Sequence, residues 1–129
     1  MTNDKHVKAC VFVDKDVDVS SVLKLLDSRG INAEVFSEPD SAVSRHEKQA
    51  FDLLIAQDDT ATSRGLKLIN EFLTINWMTS SILICDLDEA SIHERAEGLG
   101  ILGHVRHFDE MVSLESLLDR FKKLHHIHD

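Results

Sequence analysis

Two rhythms of apolar residues alternate along this chain. Short, nearly continuous runs occur at Val7 to Val13, Phe51 to Ala56 and Ser81 to Cys85. Runs of that length predict strands buried on both faces. Ile31 to Phe36 alternates apolar and polar positions and predicts a shorter second strand, and Gly103 to Val105 a brief fifth one. Between these runs the spacing becomes helical. Val19, Val22, Leu23, Leu25 and Leu26 share one helix face, ended by Gly30 as a residue just past a helix terminus. Ser37-Glu38-Pro39-Asp40 starts a second helix with proline in its first turn, continued more weakly by Ala42, Val43 and His46. Leu66, Leu68, Ile69, Phe72 and Leu73 form a third. Glu89 to Leu99 forms a polar fourth, stopped by Gly98 or Gly100. Ser113 is placed to cap a last helix whose apolar face is Leu114, Leu117, Leu118, Phe121 and Leu124. Strands alternating with helices imply parallel βαβ units, right-handed crossovers and a three-layer α/β sandwich.

Composition narrows the function classes. At 129 residues the chain is one domain, with residues 1–124 as the folded body and a His-rich tail at 125–129. A formal net charge of −9 opposes general nucleic-acid binding and leaves room for a basic partner surface. No apolar run is long enough to span a membrane, and the polar start from Met1 to Lys8 lacks a signal-peptide core, so a cytoplasmic location is expected. Cys10 and Cys85 each sit inside an apolar run and read as buried free thiols.

The order, length and loop placement resemble a response-regulator receiver domain across essentially the whole chain. The pieces that carry the likeness are Val11-Phe12-Val13-Asp14, Leu25-Leu26 with Gly30, Asp52-Leu53-Leu54-Ile55, Gly65-Leu66, Glu97-Gly98-Leu99-Gly100 and Leu114-Glu115-Ser116-Leu117-Leu118. The resemblance implies a flavodoxin-like doubly wound sheet of five parallel strands in the order 2-1-3-4-5.

The same resemblance implies a phosphorylation site, and there this chain departs from the family. The family's acceptor aspartate matches Gln57. A carboxamide is no nucleophile, because its oxygen is neutral and its nitrogen lone pair is delocalised. The paired acids that hold Mg²⁺ in the family are reduced to Asp14, beside Lys15, with Asp16 and Asp18 further along the loop. The family's hydroxyl residue matches Cys85, its lysine His107, and its switch aromatic His104; Phe108 stands where a proline follows that lysine. The expectation is an atypical, phosphorylation-independent receiver-like domain, a pseudoreceiver, acting in bacterial signal transduction. Neither enzymatic activity nor a cofactor is expected of it. With no output domain after the last helix, it would act through a protein partner such as a histidine kinase, another regulator or an output protein, or through a homodimer.

Alternatives stay open at this level. A one-residue slip of the third strand would put Asp58 at the acceptor position, giving a single-domain response regulator that uses Mg²⁺ in a phosphorelay. Asp14, Asp16, Asp58 and Asp59 converging at the carboxyl end of the sheet could hold Mg²⁺ or Ca²⁺ and serve a metal or small-ligand sensor; a solvated acidic rim is the plainer reading. FMN is disfavoured, because the acidic loop from Asp14 to Asp18 repels phosphate. His125, His126 and His128 offer adventitious Zn²⁺ or Ni²⁺ ligands on a frayed tail. Receiver domains commonly bind partners through the face of the fourth helix, fifth strand and fifth helix. Here that face would carry Arg95, His104 and Arg106, and a lengthened loop would present Phe108, Met111 and Val112 as apolar contacts, unless they tuck against the last helix.

Overall fold

A computed structural model describes residues 7–59 and 61–125. Its elements are β1 (Val7–Phe12), α1 (Ser20–Ser28), β2 (Ile31–Phe36), α2 (Pro39–Lys48), β3 (Leu53–Gln57), α3 (Arg64–Ile75), β4 (Ser80–Ile84), α4 (Glu89–Arg95), β5 (Gly103–Val105) and α5 (Met111–Leu124). All strand pairs are parallel and the sheet order is β2-β1-β3-β4-β5, the flavodoxin-like order expected from the sequence.

The two-residue period of each strand divides the core into two layers. Ala9, Val11, Leu53, Ile55, Ile82, Ile84 and Val105 face α1 and α5, where Val22, Leu26, Leu114, Leu118 and Phe121 cover them. Cys10, Phe12, Leu54, Ala56, Leu83 and Cys85 face the other way, against Ala42, Leu68, Ile69, Phe72 and Ile92. Because β1, β3 and β4 are covered on both faces, almost every one of their residues is buried. β2 lies at the sheet edge, which is why its sequence alternates.

Helix ends follow local chemistry. Gly30 takes φ 74 just after α1, a conformation that suits glycine. Pro39 opens α2. Asp88 caps α4 by accepting the Ser91 N–H. His46, the doubtful residue of the second helix, lies in the core: it is 1 % exposed and stacked 3.9 Å from the Phe72 ring.

Several boundaries differ from expectation. α4 stops at Arg95, because the chain turns through Ala96 to Gly98, where Gly98 takes φ 86. β3 begins at Leu53 and extends to Gln57, which pairs with Ile84. α5 begins at Met111, so Ser113 lies in its first turn and Glu110 precedes it without a side-chain cap. The Met111 side chain packs against the core and carries the apolar face one turn earlier than Leu114 would. Gly103 leaves room for Leu117: an added Cβ would lie 2.3 Å from the Leu117 Cδ2.

Candidate functional site at the carboxyl end of the sheet

The loops after β1, β3, β4 and β5 meet at one end of the sheet, around a cleft of ≈ 360 Å³ lined by Asp18, Gln57, Asp58, Asp86 and His107, among others. Gln57 and Asp58 leave β3 on opposite sides, as consecutive strand positions must. Gln57 reaches across to β1, where its Oε1 accepts the Asp14 N–H at 2.9 Å. Asp58 turns toward α3 and α4. Its side chain is fully buried, one oxygen accepts the Leu66 N–H at 3.1 Å, and the other accepts from Arg95 Nη2 at 2.9 Å. The carboxylate therefore sits at the N-terminus of α3, where backbone donors and the helix dipole favour a negative charge.

Gly65 makes that geometry possible. A Cβ there would lie 2.5 Å from the Gln57 carbonyl oxygen and 2.9 Å from the Asp58 Cα, so α3 starts too close to the end of β3 for any side chain. Ser63, just before the helix, adopts φ 57 and accepts a second Arg95 Nη2 contact at 2.8 Å.

The remaining acids have their own partners. Asp14 is paired with Arg64 at 2.6 Å. Asp86 accepts from Arg106 Nε at 2.8 Å, with His107 Nε2 at 3.7 Å. Asp59 accepts the Thr62 N–H and hydroxyl, and those two bonds hold its carboxyl below the usual range. Asp18 is held low in the same way by Ser20. Lys15 and Asp16 stand exposed in the β1–α1 loop.

A divalent cation sets a definite demand on these acids. Such an ion needs clustered oxygens around one point. Here Asp14 and Asp58 face different arginines, and among the described residues no group of three histidine, cysteine or acidic side chains gathers to hold a metal. Spacing along the chain gave no sign of these pairs, since Arg64 lies 50 residues from Asp14 and Arg95 lies 37 from Asp58.

Several expected surface roles change. Arg95 points inward to Asp58 and Ser63 instead of outward to a partner. Phe108 is 8 % exposed and belongs to the core beneath α5, and Met111 is half-buried; only Val112 stands free, at 80 %. The loop is shorter than expected because α5 already starts at Met111. Cys85 is buried, and burial, then the nearby Asp58 charge, pushes its thiol up. His104 Nε2 meets the Cys85 carbonyl at 3.2 Å. His125 is docked, with Nε2 2.9 Å from the Ser80 hydroxyl and its ring 4.5 Å from Phe121, so it is no tail residue. His126 and His128 lie outside the described residues.

Neither a protein-family model nor a curated protein sequence matches the chain. Solved structures do. The chemotaxis protein CheY4 of Vibrio cholerae superposes with a TM-score of 0.75 at 15% identity, over 89% of this chain and 98% of that one. The BeF3-activated receiver domain of DrrB gives 0.76 at 16% identity, over 91% and 97%. The receiver domain of the sensor histidine kinase PA1611 of Pseudomonas aeruginosa, with a magnesium ion in its active-site cleft, gives 0.72 at 15% identity, over 89% and 96%. At such identities the likeness carries the fold.

Proposed function

We propose that this chain, which has the fold of response-regulator receiver domains, is an atypical member that signals without accepting a phosphoryl group. It acts by protein–protein contact, in bacterial signal transduction, on a partner such as a histidine kinase, another regulator or an output protein. One observation carries this reading: at the end of β3 the side chain reaching toward Asp14 is the carboxamide of Gln57, while the adjacent carboxylate, Asp58, is buried in a pair with Arg95. A neutral amide cannot attack phosphorus. A carboxylate held by a guanidinium and a helix N–H is weakened as a nucleophile.

The Mg²⁺ and BeF3 named for two of the similar structures supply the test. ¹⁵N-labelled protein is titrated with Mg²⁺, then with beryllofluoride, and acetyl phosphate is followed by intact mass. The expected outcome is unshifted amides at residues 57 to 59 and no added phosphate mass. Phosphate on Asp58, or beryllofluoride-dependent shifts around it, would replace this reading with that of a working single-domain response regulator.

A further inference from the structure

The exposed apolar side chains of the domain are unevenly spread. Ile75, Trp77 and Met78 fall within four residues, at the end of α3 and in the turn to β4. Trp77 is 79 % exposed and Met78 58 %. Leu124, exposed in the last turn of α5, joins them at the same end: His125 beside it meets the hydroxyl of Ser80, two residues after Met78. All four lie at the amino end of the sheet, opposite the cleft. Val35 and Val112, the other large apolar side chains exposed among the described residues, stand apart on β2 and at the start of α5. A single exposed apolar residue is ordinary, whereas a group of them marks a contact surface.

The turn that carries Trp77 and Met78 is firmly built. The Asn76 N–H donates to the Phe72 carbonyl at 2.8 Å, the Thr79 N–H to the Asn76 carbonyl at 3.1 Å, and the Thr79 hydroxyl to the Phe51 carbonyl at 2.8 Å. Both side chains are thus presented to solvent on a backbone that loses little further freedom on contact.

Charge decides what can cover this surface. The connections that leave the strands at the cleft end, residues 13–19, 37–38, 58–63, 85–88 and 106–110, hold ten acids against two Lys or Arg residues. The connections at the Trp77 end, 29–30, 49–52, 76–79 and 96–102, hold two acids against one arginine. Lys48, Lys122 and Lys123 in the last turns of α2 and α5 add positive charge there, and Asp27, Glu47 and Asp119 near the same helix ends offset it. An end so close to neutral offers an anionic lipid surface no excess of cations. Two copies of this acidic chain repel each other if their cleft ends approach. Meeting through their Trp77 ends, they bury the apolar group against itself, oppose mixed charges that nearly cancel, and hold the two acidic ends far apart. A two-fold contact of this kind sets each patch against its own copy and closes on itself.

We infer that the amino end of the sheet is a self-association surface, on which a second copy of the chain seats its Trp77 and Met78 against those of the first. Such a dimer does not depend on whether Asp58 accepts phosphate, and it leaves the face of α4, β5 and α5 free.

The chain carries one tryptophan, which reports the contact directly. Sedimentation equilibrium on the full chain covers about 10 μM to about 1 mM, the range of a small apolar contact. The mass is expected to rise from 14.6 kDa to twice that value. Trp77 emission should move to shorter wavelength, and its quenching by acrylamide should fall in step. Because the long-range force between two chains of net charge −9 is repulsive, association should tighten as salt rises. Trp77→Ala and Met78→Lys should each weaken it about tenfold or more, while Val112→Ala should associate as the parent does. Circular dichroism checks that each variant folds, as exposed positions permit. A chain that stays monomeric throughout, a dimer that Trp77→Ala leaves unchanged or Val112→Ala weakens, or association that salt dissolves would overturn the proposal. So would a Trp77 shift produced only by vesicles of phosphatidylcholine and phosphatidylglycerol, which would make this end a lipid contact. The phosphoryl test reads residues 57 to 59 at the other end of the sheet, so either result stands without the other.

Discussion

The pair between Asp58 and Arg95 gives a quantitative prediction. Truncating Arg95→Ala leaves a fully buried carboxylate with only the Leu66 N–H. Removing one partner of a buried pair costs ~3–5 kcal/mol. Arg95 is itself partly exposed and Asp58 keeps one hydrogen bond, so the cost falls at or just below the bottom of that range, about 2–3 kcal/mol. Truncating Asp58→Ala removes the acceptor for Leu66, worth about 1 kcal/mol as a helix cap, and a charged hydrogen bond worth about 1.5–3 kcal/mol. Its expected total is about 3 kcal/mol. If the two side chains act on each other, the double variant costs little more than Asp58→Ala alone, about 3 kcal/mol, against about 5–6 kcal/mol for independent effects. The coupling is then about 2 kcal/mol.

Urea unfolding of the four proteins, followed by circular dichroism, measures this. Trp77 is 79 % exposed, so its fluorescence would report the transition poorly. Additivity within about 0.5 kcal/mol, together with a nearly neutral Asp58→Ala, would refute the argument. That result would mean that Asp58 faces water and is free for other chemistry.

The other predictions concern the rest of the domain. Phe108→Ala should cost about 3 kcal/mol in urea unfolding, as a large side chain lost from the core does, whereas exposed Val112→Ala should stay within about 0.5 kcal/mol; equal effects would contradict their different burial. Gly65→Ala should cost about 2 kcal/mol or more, because the atoms its Cβ meets are backbone; a neutral result in thermal unfolding would show that α3 can retreat. His46 is held neutral chiefly by burial, with Nδ1 accepting the Phe51 N–H and Nε2 against the Phe72 carbonyl. Its folded pKa lies below the ordinary 6.5, so the unfolded chain binds more protons, and His46's contribution to stability, complete above about 6.5, shrinks as pH falls from there. The His46 ring resonance should titrate below the ordinary 6.5, and a titration centred on 6.5 or above would refute the assignment.

The fold was legible because the sheet enforces its own pattern. Strands covered on both faces need apolar residues at nearly every position, and Leu53-Leu54-Ile55-Ala56 and Ile82-Leu83-Ile84 supply them. Helix ends were readable where one residue type sufficed, as at Pro39 and Gly30. They were misread where packing decided. Ser113 has a cap's chemistry, yet burial of Met111 starts the helix three residues earlier than that cap would. His46 looked like a weak point in α2 because a polar ring is rarely core, but two backbone groups satisfy its nitrogens there.

The site was legible only in part, and the division is physical. Gln57 and Asp58 were identified because strand alternation and the Gly65 spacing fix where β3 ends. Their partners were not, because an ion pair between distant loops leaves no periodic trace. Arg95 read as a surface residue on a short polar helix, and only the depth of Asp58 in the fold draws it inward. The same difference separates the two groups of acids. Those at the sheet end converge, and such convergence requires a compensating cation, which in this chain is a guanidinium for Asp14, Asp58 and Asp86 alike. Glu89 and Glu94 on the exposed face of α4 have no ion pair among the described residues, which water tolerates. The chain's own arginines therefore answer Asp14, Asp58 and Asp86 at the end of the sheet where this fold binds ligands.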